Sequence, residues 1–179
     1  SGLATYAALC QEAGLVPIVE PEVLMDGGHD LKRCFDVTSD VLHSVFAELR
    51  EQRVSLEGML LKPNMIISGD KARPQASVQE VAEATVRCFL RHVPAAVPGI
   101  VFLSGGQSDE LATAHLDAMN KLGSFPWKLS FSYGRALQHA AQHTWRGQAA
   151  NVGAAQKAFQ HRSRLHGAAA LGKYSAAME

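Results

Sequence analysis

Four short apolar runs, separated by stretches with helical spacing, are the feature that most limits what this chain can fold into. The runs are LVPIVEPE (15–22), LEGMLLKPNM (56–65), GIVFLSGG (99–106) and LSFSYG (129–134). Nearly continuous apolar runs of this length are typical of strands buried on both faces of a parallel sheet. The sequence therefore predicts an α/β fold in which strands and helices alternate.

The stretches between the runs carry apolar residues three and four positions apart, as amphipathic helices require. Two helices are predicted from the sets Val37, Val41, Leu42, Val45, Phe46, Leu49 and Val81, Ala82, Thr85, Val86, Phe89, Leu90. A third helix is predicted over 109–121, with Ser108 as its N-cap, and a fourth from about Ala136 toward Trp145.

Two architectures accommodate alternating strands and helices: an open doubly wound sheet and a (β/α)8 TIM barrel. An open sheet that binds nucleotides carries a glycine-rich phosphate turn after a strand, but neither GxGxxG nor GxxxxGK[ST] occurs in the chain. A barrel needs eight strand–helix units and about 250 residues. Only four units are present, so if the chain forms a barrel, it forms half of a TIM barrel, followed by a C-terminal helix.

Composition excludes several classes of partner. The 179 residues contain 17 basic and 17 acidic side chains, so no excess of positive charge favours nucleic acid or an anionic membrane. No apolar window approaches the length of a membrane span, and the first ten residues do not form a signal peptide. The three widely spaced cysteines indicate reduced thiols in a cytoplasmic protein, and no metal site.

Glu20 and Lys62 each end an apolar run immediately before a proline. Proline has no N–H to donate and favours an extended preceding residue, so Pro21 and Pro63 mark where sheet pairing stops. Both charged side chains are therefore expected at the carboxyl ends of neighbouring parallel strands, which is where barrel enzymes build their active sites. We expect the carboxylate and the amine to converge there.

Lys62 is the candidate nucleophile, because a neutral lysine amine attacks carbonyl carbon and forms a Schiff base. The protonated imine then withdraws electrons while a carbon–carbon bond breaks or forms, and Glu20 is placed to move the protons. The alternative is that Lys62 and Glu20 form only an ion pair at the strand ends. The spacing of the two residues leaves both interpretations open.

The third and fourth runs end in the glycine turns LSGGQS and FSYGRA. Glycines there expose backbone N–H groups, and Arg135 adds a cation suited to phosphate. Barrel enzymes commonly bind phosphate at the loops after the last two strands, so the turns favour a phosphorylated substrate. Taken singly, each turn is also consistent with an ordinary strand-to-helix connection, with Ser108 as an N-cap.

The region after residue 147 is rich in Ala, Gln, His and Arg and is predicted to be a surface helix with a frayed end. We accordingly divide the chain into residues 1–147, the half barrel, and residues 148–179, a C-terminal helix and tail. The histidines at 139, 143, 161 and 166 are expected to lie on solvated helix faces.

Taken in order and spacing, LVPIVEPE, DGGHDLKRC, LEGMLLKPNM, VPGIVFLSGGQS and FSYGRALQ resemble class I fructose-bisphosphate aldolases over nearly the whole chain. The resemblance implies Lys62 as the Schiff-base lysine, Glu20 as the acid/base residue and Glu22 as a nearby active-site carboxylate. It also implies a set of residues that hold a substrate phosphate, namely Ser104, Gly105, Gly106, Ser132, Gly134 and Arg135.

The same resemblance implies reversible cleavage of fructose 1,6-bisphosphate to dihydroxyacetone phosphate and glyceraldehyde 3-phosphate, without a metal or other cofactor, in a cytoplasmic glycolytic homo-oligomer that is a tetramer when complete. The chain opens just before the strand that would be the fifth. The strands expected before it carry an aspartate, lysines and an arginine used by the family, so we expect the isolated chain to be inactive or weakly active. The alternatives are a non-catalytic phosphate-binding or assembly half barrel and a different Schiff-base lyase on the same scaffold.

Overall fold

The computed structural model describes residues 2–179 and contains one four-stranded parallel sheet. Its strands are β1 (Ile18–Val19), β2 (Leu60–Leu61), β3 (Gly99–Phe102) and β4 (Lys128–Phe131). They lie in the order β1-β2-β3-β4, and every neighbouring pair is parallel. A doubly wound sheet reverses its strand order at a switch point, whereas a barrel does not. The order without reversal is therefore that of half a barrel.

Six α-helices accompany the sheet within the described residues. They are α1 (Gly2–Glu12), α2 (Leu31–Glu51), α3 (Val78–His92), α4 (Asp109–Lys121), α5 (Arg135–Trp145) and α6 (Val152–Ala169). The four helices predicted between and after the strands are confirmed as α2 to α5. None of the helices over 2–179 combines the length and the apolar character needed to cross a membrane.

The strands are shorter than the apolar runs that predicted them. Prolines flank β1 at positions 17 and 21 and follow β2 at position 63, and a proline donates no ladder hydrogen bond. Single backbone hydrogen bonds nevertheless continue the pairing beyond the regular strands, from Leu60 N–H to Pro17 O at 3.0 Å and from Lys62 N–H to Val19 O at 2.7 Å. The sheet therefore keeps its register up to the residues that follow each strand.

Local capping fixes where the helices begin. Ser108 accepts a hydrogen bond from the Leu111 N–H at 3.1 Å, which confirms it as the N-cap of α4. Ser77 and Glu80 form a complete capping box at the start of α3. Because α4 begins directly after the glycine turn of β3, its capped end is placed beside the carboxyl end of the sheet.

The core lies between the sheet and the helices that cover it. Leu61, Ile100 and Phe102 of the strands are fully buried, and the ring of Phe102 stacks on Phe89 of α3 at a centroid separation of 5.6 Å. Leu90, one of the apolar residues whose spacing predicted α3, lies outside its buried face, since its side chain is 54% exposed. The buried face of α3 instead runs through residues 81, 82, 84, 85, 86, 88 and 89.

The C-terminal region is better packed than its polar composition predicts. The side chains of Arg162 and His166 on α6 are buried, together with Leu165, Ala169 and Tyr174. The prediction of a frayed end is wrong for this part of the chain, and so is the solvated position of His166. Arg162 is accommodated because it pairs with Glu179 at 2.5 Å and donates to Thr113 Oγ1 at 2.6 Å. The division at residue 147 stays a prediction.

Candidate active site

Lys62 and Glu20 meet at the carboxyl ends of β2 and β1. Lys62 Nζ lies 3.0 Å from Glu20 Oε1, and the Lys62 side chain is 20% exposed, against 44% for Glu20. The Lys62 N–H bonds to Val19 O, so each side chain directly follows a paired strand residue. The convergence expected from the two proline-ended runs is present, and it takes the form of a close ion pair.

Backbone pairing between β2 and β3 places the glycine turn after β3 next to Lys62. Leu103 N–H donates to Pro63 O at 3.1 Å, so the residues just before Ser104 and just after Lys62 are hydrogen-bonded neighbours. On the other side, Ser132 N–H donates to Phe102 O at 2.9 Å. Lys62, Ser104 and Ser132 therefore follow three adjacent strands at one edge of the sheet.

Glu22 lies farther along the loop after β1 and is exposed. Within residues 2–179, no hydrogen bond or ion pair joins it to Lys62 or Glu20. The loop is held instead by Asn64, a buried residue whose Oδ1 accepts from the Val23 N–H at 3.2 Å. Asn64 Nδ2 donates to Thr38 Oγ1 at 3.1 Å, which ties the loop to α2. A polar residue within the apolar run LLKPNM was the available sequence signal for this role.

The turn formed by Ser104, Gly105 and Gly106 encloses the side chain of Met25. A Cβ atom at Gly106, where φ is +73°, would stand 2.6 Å from Met25 Cγ, and one at Gly105 would stand 2.8 Å from Met25 Cε. Gly106 is therefore required by its positive φ and by close packing, whereas a side chain at Gly105 would meet the flexible end of Met25. Within this tight turn, Ser104 is buried and Gly106 is exposed to solvent.

Arg135 begins α5 directly after Gly134 and reaches back to the turn after β3. Its Nη2 donates to Ser104 O at 3.2 Å and also to Gln107 O. The guanidinium thus links the loops that follow β3 and β4. Half of the Arg135 side chain remains exposed, so it can still receive an anion from solvent.

Two further groups at this edge were not singled out from the sequence. The buried carboxylate of Asp109 lies 3.6 Å from Arg135 Nη1 and 3.7 Å from His139 Nδ1. His115 Nδ1 is hydrogen-bonded to Gln107 Oε1 at 2.6 Å, and burial lowers the pKa of His115 to about 4. The described residues contain no group of three or more His, Cys, Asp or Glu side chains suited to a metal ion.

The family model for class-I fructose-bisphosphate aldolases matches residues 1–179. The chain belongs to this family. Similar proteins include the probable fructose-bisphosphate aldolase class 1 of Xanthomonas axonopodis pv. citri, which is 57% identical over 173 residues. That match covers 96% of this chain and 52% of the relative. The cytosolic fructose-bisphosphate aldolase 5 of Arabidopsis thaliana is 54% identical over 175 residues, covering 97% of this chain and 49% of the relative.

Among solved structures, fructose-bisphosphate aldolase from Plasmodium falciparum, crystallised with TRAP and a small-molecule inhibitor, matches with a TM-score of 0.95 and 49% identity. The match covers 97% of this chain and 50% of that one. The chain spans about half the length of the relatives it matches. Agreement with an aldolase, a TIM barrel, confirms the fold class that the four strand–helix units predicted.

The aldolase family is therefore established for the chain, while the roles of individual residues are a separate question. The structure brings Lys62 and Glu20 into contact and connects Arg135 to the turn at Ser104. It does not join Glu22 to that pair. The catalytic and phosphate-binding roles of these residues remain predictions.

Proposed function

We propose that this chain supplies the Schiff-base half of a metal-independent aldolase that reversibly cleaves fructose 1,6-bisphosphate to dihydroxyacetone phosphate and glyceraldehyde 3-phosphate. The observation that carries the proposal is the 3.0 Å contact of Lys62 Nζ and Glu20 Oε1 at the carboxyl edge of the sheet. Family membership over residues 1–179 supports it. In the complete barrel, the preceding strands would contribute the rest of the pocket.

The proposed reaction begins when Lys62 Nζ adds to the ketone carbon of the sugar and the carbinolamine loses water to give a protonated imine. As the C4 hydroxyl gives up its proton, the electrons of the C3–C4 bond move to the imine nitrogen and the aldehyde leaves. The resulting enamine takes a proton at C3, and water then releases dihydroxyacetone phosphate. Glu20 lies close enough to exchange protons with Lys62 Nζ during imine formation and hydrolysis.

The phosphate of the ketone half would lie at the two glycine turns. Backbone N–H groups of Ser104, Gly105 and Gly106 and the guanidinium of Arg135 form one side of this subsite, and Ser132 and Gly134 form the other. Arg135 is already tied to Ser104 O at 3.2 Å, which places a fixed cation beside the turn. Glu22 is proposed as a nearby carboxylate that approaches the pair when substrate binds.

The wider properties of the family complete the proposal. No metal is required, because the protonated imine itself accepts the electrons of the breaking bond. A cytoplasmic location is supported by the cytosolic aldolase of Arabidopsis thaliana. We propose that the complete protein is a homo-oligomer, a tetramer as the resemblance implies, acting in glycolysis.

The direct test is chemical trapping. The chain is incubated with dihydroxyacetone phosphate, reduced with borohydride, digested, and examined by peptide mass spectrometry. We expect an adduct on Lys62 that is abolished in Lys62→Met, and roughly 10²-fold slower adduct formation in Glu20→Gln. Glu12→Gln, which alters an exposed carboxylate on α1, is the matched control and should react at the wild-type rate. An adduct spread over surface lysines with Lys62 unmodified would contradict the proposal.

A second candidate is a non-catalytic phosphate-binding or assembly half barrel. The exposed apolar residues Leu15, Val16 and Ile18 at the open β1 edge favour it, because such an edge pairs with another strand. Binding of a phosphorylated sugar that survives Lys62→Met, with no trapped adduct in the wild type, would support this candidate over the aldolase.

A further inference from the structure

Asp109 is a buried carboxylate with an incomplete set of partners. It is the first residue of α4 and is 8% exposed, and its Oδ1 has no hydrogen-bond partner among residues 2–179. The N-terminus of a helix favours negative charge, yet a buried carboxylate oxygen without a donor is costly. Within residues 2–179, the two basic side chains that lie within 4 Å of the carboxylate belong to α5: Arg135 at 3.6 Å and His139 at 3.7 Å.

Arg135 is held by neutral groups on one side and by this carboxylate on the other. Its Nη2 donates to the carbonyls of Ser104 and Gln107, while its Nη1 faces Asp109 Oδ1. Carbonyl contacts fix one corner of a guanidinium but leave rotation about that corner possible. The carboxylate near the second nitrogen restricts that rotation, and with it the direction in which the exposed N–H groups point.

Asp109 is itself firmly supported. Ser108 caps the helix in front of it, and the buried Arg162 of α6 donates to Asp109 O at 2.9 Å and to Thr113 Oγ1 at 2.6 Å. The carboxylate therefore extends from a backbone that two helices hold in place. Such a support is suited to setting the orientation of a more exposed side chain.

We propose that Asp109 is a positioning residue that orients Arg135 toward the phosphate group of the substrate. The proposal rests on the proposed function, since it assumes that Arg135 binds phosphate at the turn after β3. Asp109 acts through Arg135 and does not contact the phosphate, because carboxylate and phosphate repel each other. Its contribution is therefore confined to phosphorylated ketones.

The test compares dihydroxyacetone phosphate with dihydroxyacetone, which lacks the phosphate, in the borohydride trapping assay on Lys62. For Asp109→Asn we expect the half-saturating concentration of dihydroxyacetone phosphate to rise about tenfold, with the maximal trapping rate little changed. Trapping of dihydroxyacetone should stay at the wild-type rate. Asp109→Glu keeps the charge and should recover most of the affinity, and Glu110→Gln, the exposed neighbour, is the matched control.

Coupling gives a second measurement. In an Arg135→Gln background, Asp109→Asn should produce no further loss, because the residue it positions is gone. Asp109→Ser provides another neutral variant if the Asn variant does not fold. Equal losses for both ketones, or an unchanged response to dihydroxyacetone phosphate, would overturn the positioning role while leaving the aldolase proposal intact. No adduct on Lys62 in the wild type would instead overturn the proposed function and this inference with it.

Discussion

At the scale of single residues, the sequence predicted that Glu20 and Lys62 would meet but did not predict the groups around them. Glu20 and Lys62 could be placed because each stands before a proline that ends a strand, which fixes its position along the sheet edge. The positions of Asp109 and Asn64 in the site could not be predicted, because they depend on contacts with residues distant in sequence. Charge next to a helix start or within an apolar run has many structural explanations, and the sequence alone does not choose among them.

His166 provides a residue-scale prediction about pH. Its ring is fully buried on α6 between Phe131 and Tyr133, with centroid separations of 5.1 and 5.0 Å. Burial, and secondarily the charge of Arg162, lowers the pKa of His166 from 6.5 to about 4. Between pH 6.5 and 4, His166 is therefore protonated in the unfolded chain but neutral in the folded chain. The free energy of unfolding is unaffected by the titration of this residue above pH 6.5 and decreases as the pH falls toward 4.

We expect His166→Leu to lessen the loss of stability between pH 6.5 and 4, by up to about 1.4 kcal/mol per pH unit. Urea unfolding of both proteins at a series of pH values measures the difference. The exposed His43→Leu is the control and should leave the pH dependence unchanged. If the free energy of unfolding depended on pH in the same way for wild type and His166→Leu, the attribution of this pH dependence to His166 would be wrong.

At the scale of elements, apolar spacing predicted the helices that cover the sheet better than those at the ends. α1 was not predicted, because GLATYAALCQE is rich in alanine and has little polar–apolar contrast between its faces. α6 was predicted to be a surface helix because its buried face includes Arg162 and His166. The burial of Arg162 becomes understandable only with the polar partners that the fold brings to it. The burial of His166 becomes understandable only with the rings of Phe131 and Tyr133 against which it packs.

The turn after β3 supplies an element-scale prediction. Gly106→Ala is expected to lower the free energy of unfolding by roughly 1–3 kcal/mol, because φ is +73° and the new methyl group would collide with Met25. Gly153→Ala, on α6 with open space around it, is the matched control and should be equally or more stable than wild type. Denaturant unfolding measures both, and a neutral Gly106→Ala would show that the turn relaxes freely.

At the scale of the whole molecule, four parallel strands leave two unpaired edges where a barrel would close. Leu15, Val16 and Ile18 at the β1 edge are 62%, 67% and 40% exposed. An exposed apolar edge promotes association with other chains. We expect the 179-residue chain to self-associate, and Val16→Lys to shift it toward monomer in sedimentation velocity. Leu171→Lys, which changes an equally exposed residue after α6, should leave the distribution unchanged.

If Val16→Lys and Leu171→Lys behave alike, the β1 edge is not the surface through which the chain associates. That outcome would also weaken the assembly interpretation of the half barrel. A wild-type chain that stays monomeric across the micromolar range would also weaken the assembly interpretation, since it would show that the exposed β1 edge does not cause association.

The central claim is that the half barrel already builds the nucleophile, and borohydride trapping with dihydroxyacetone phosphate tests it most directly. The geometry at the strand ends predicts a single reduced adduct on Lys62, lost in Lys62→Met and slowed in Glu20→Gln. A chain that is folded but forms no adduct on Lys62 would contradict the claim, and would mean that the 3.0 Å contact of Lys62 and Glu20 is a structural ion pair.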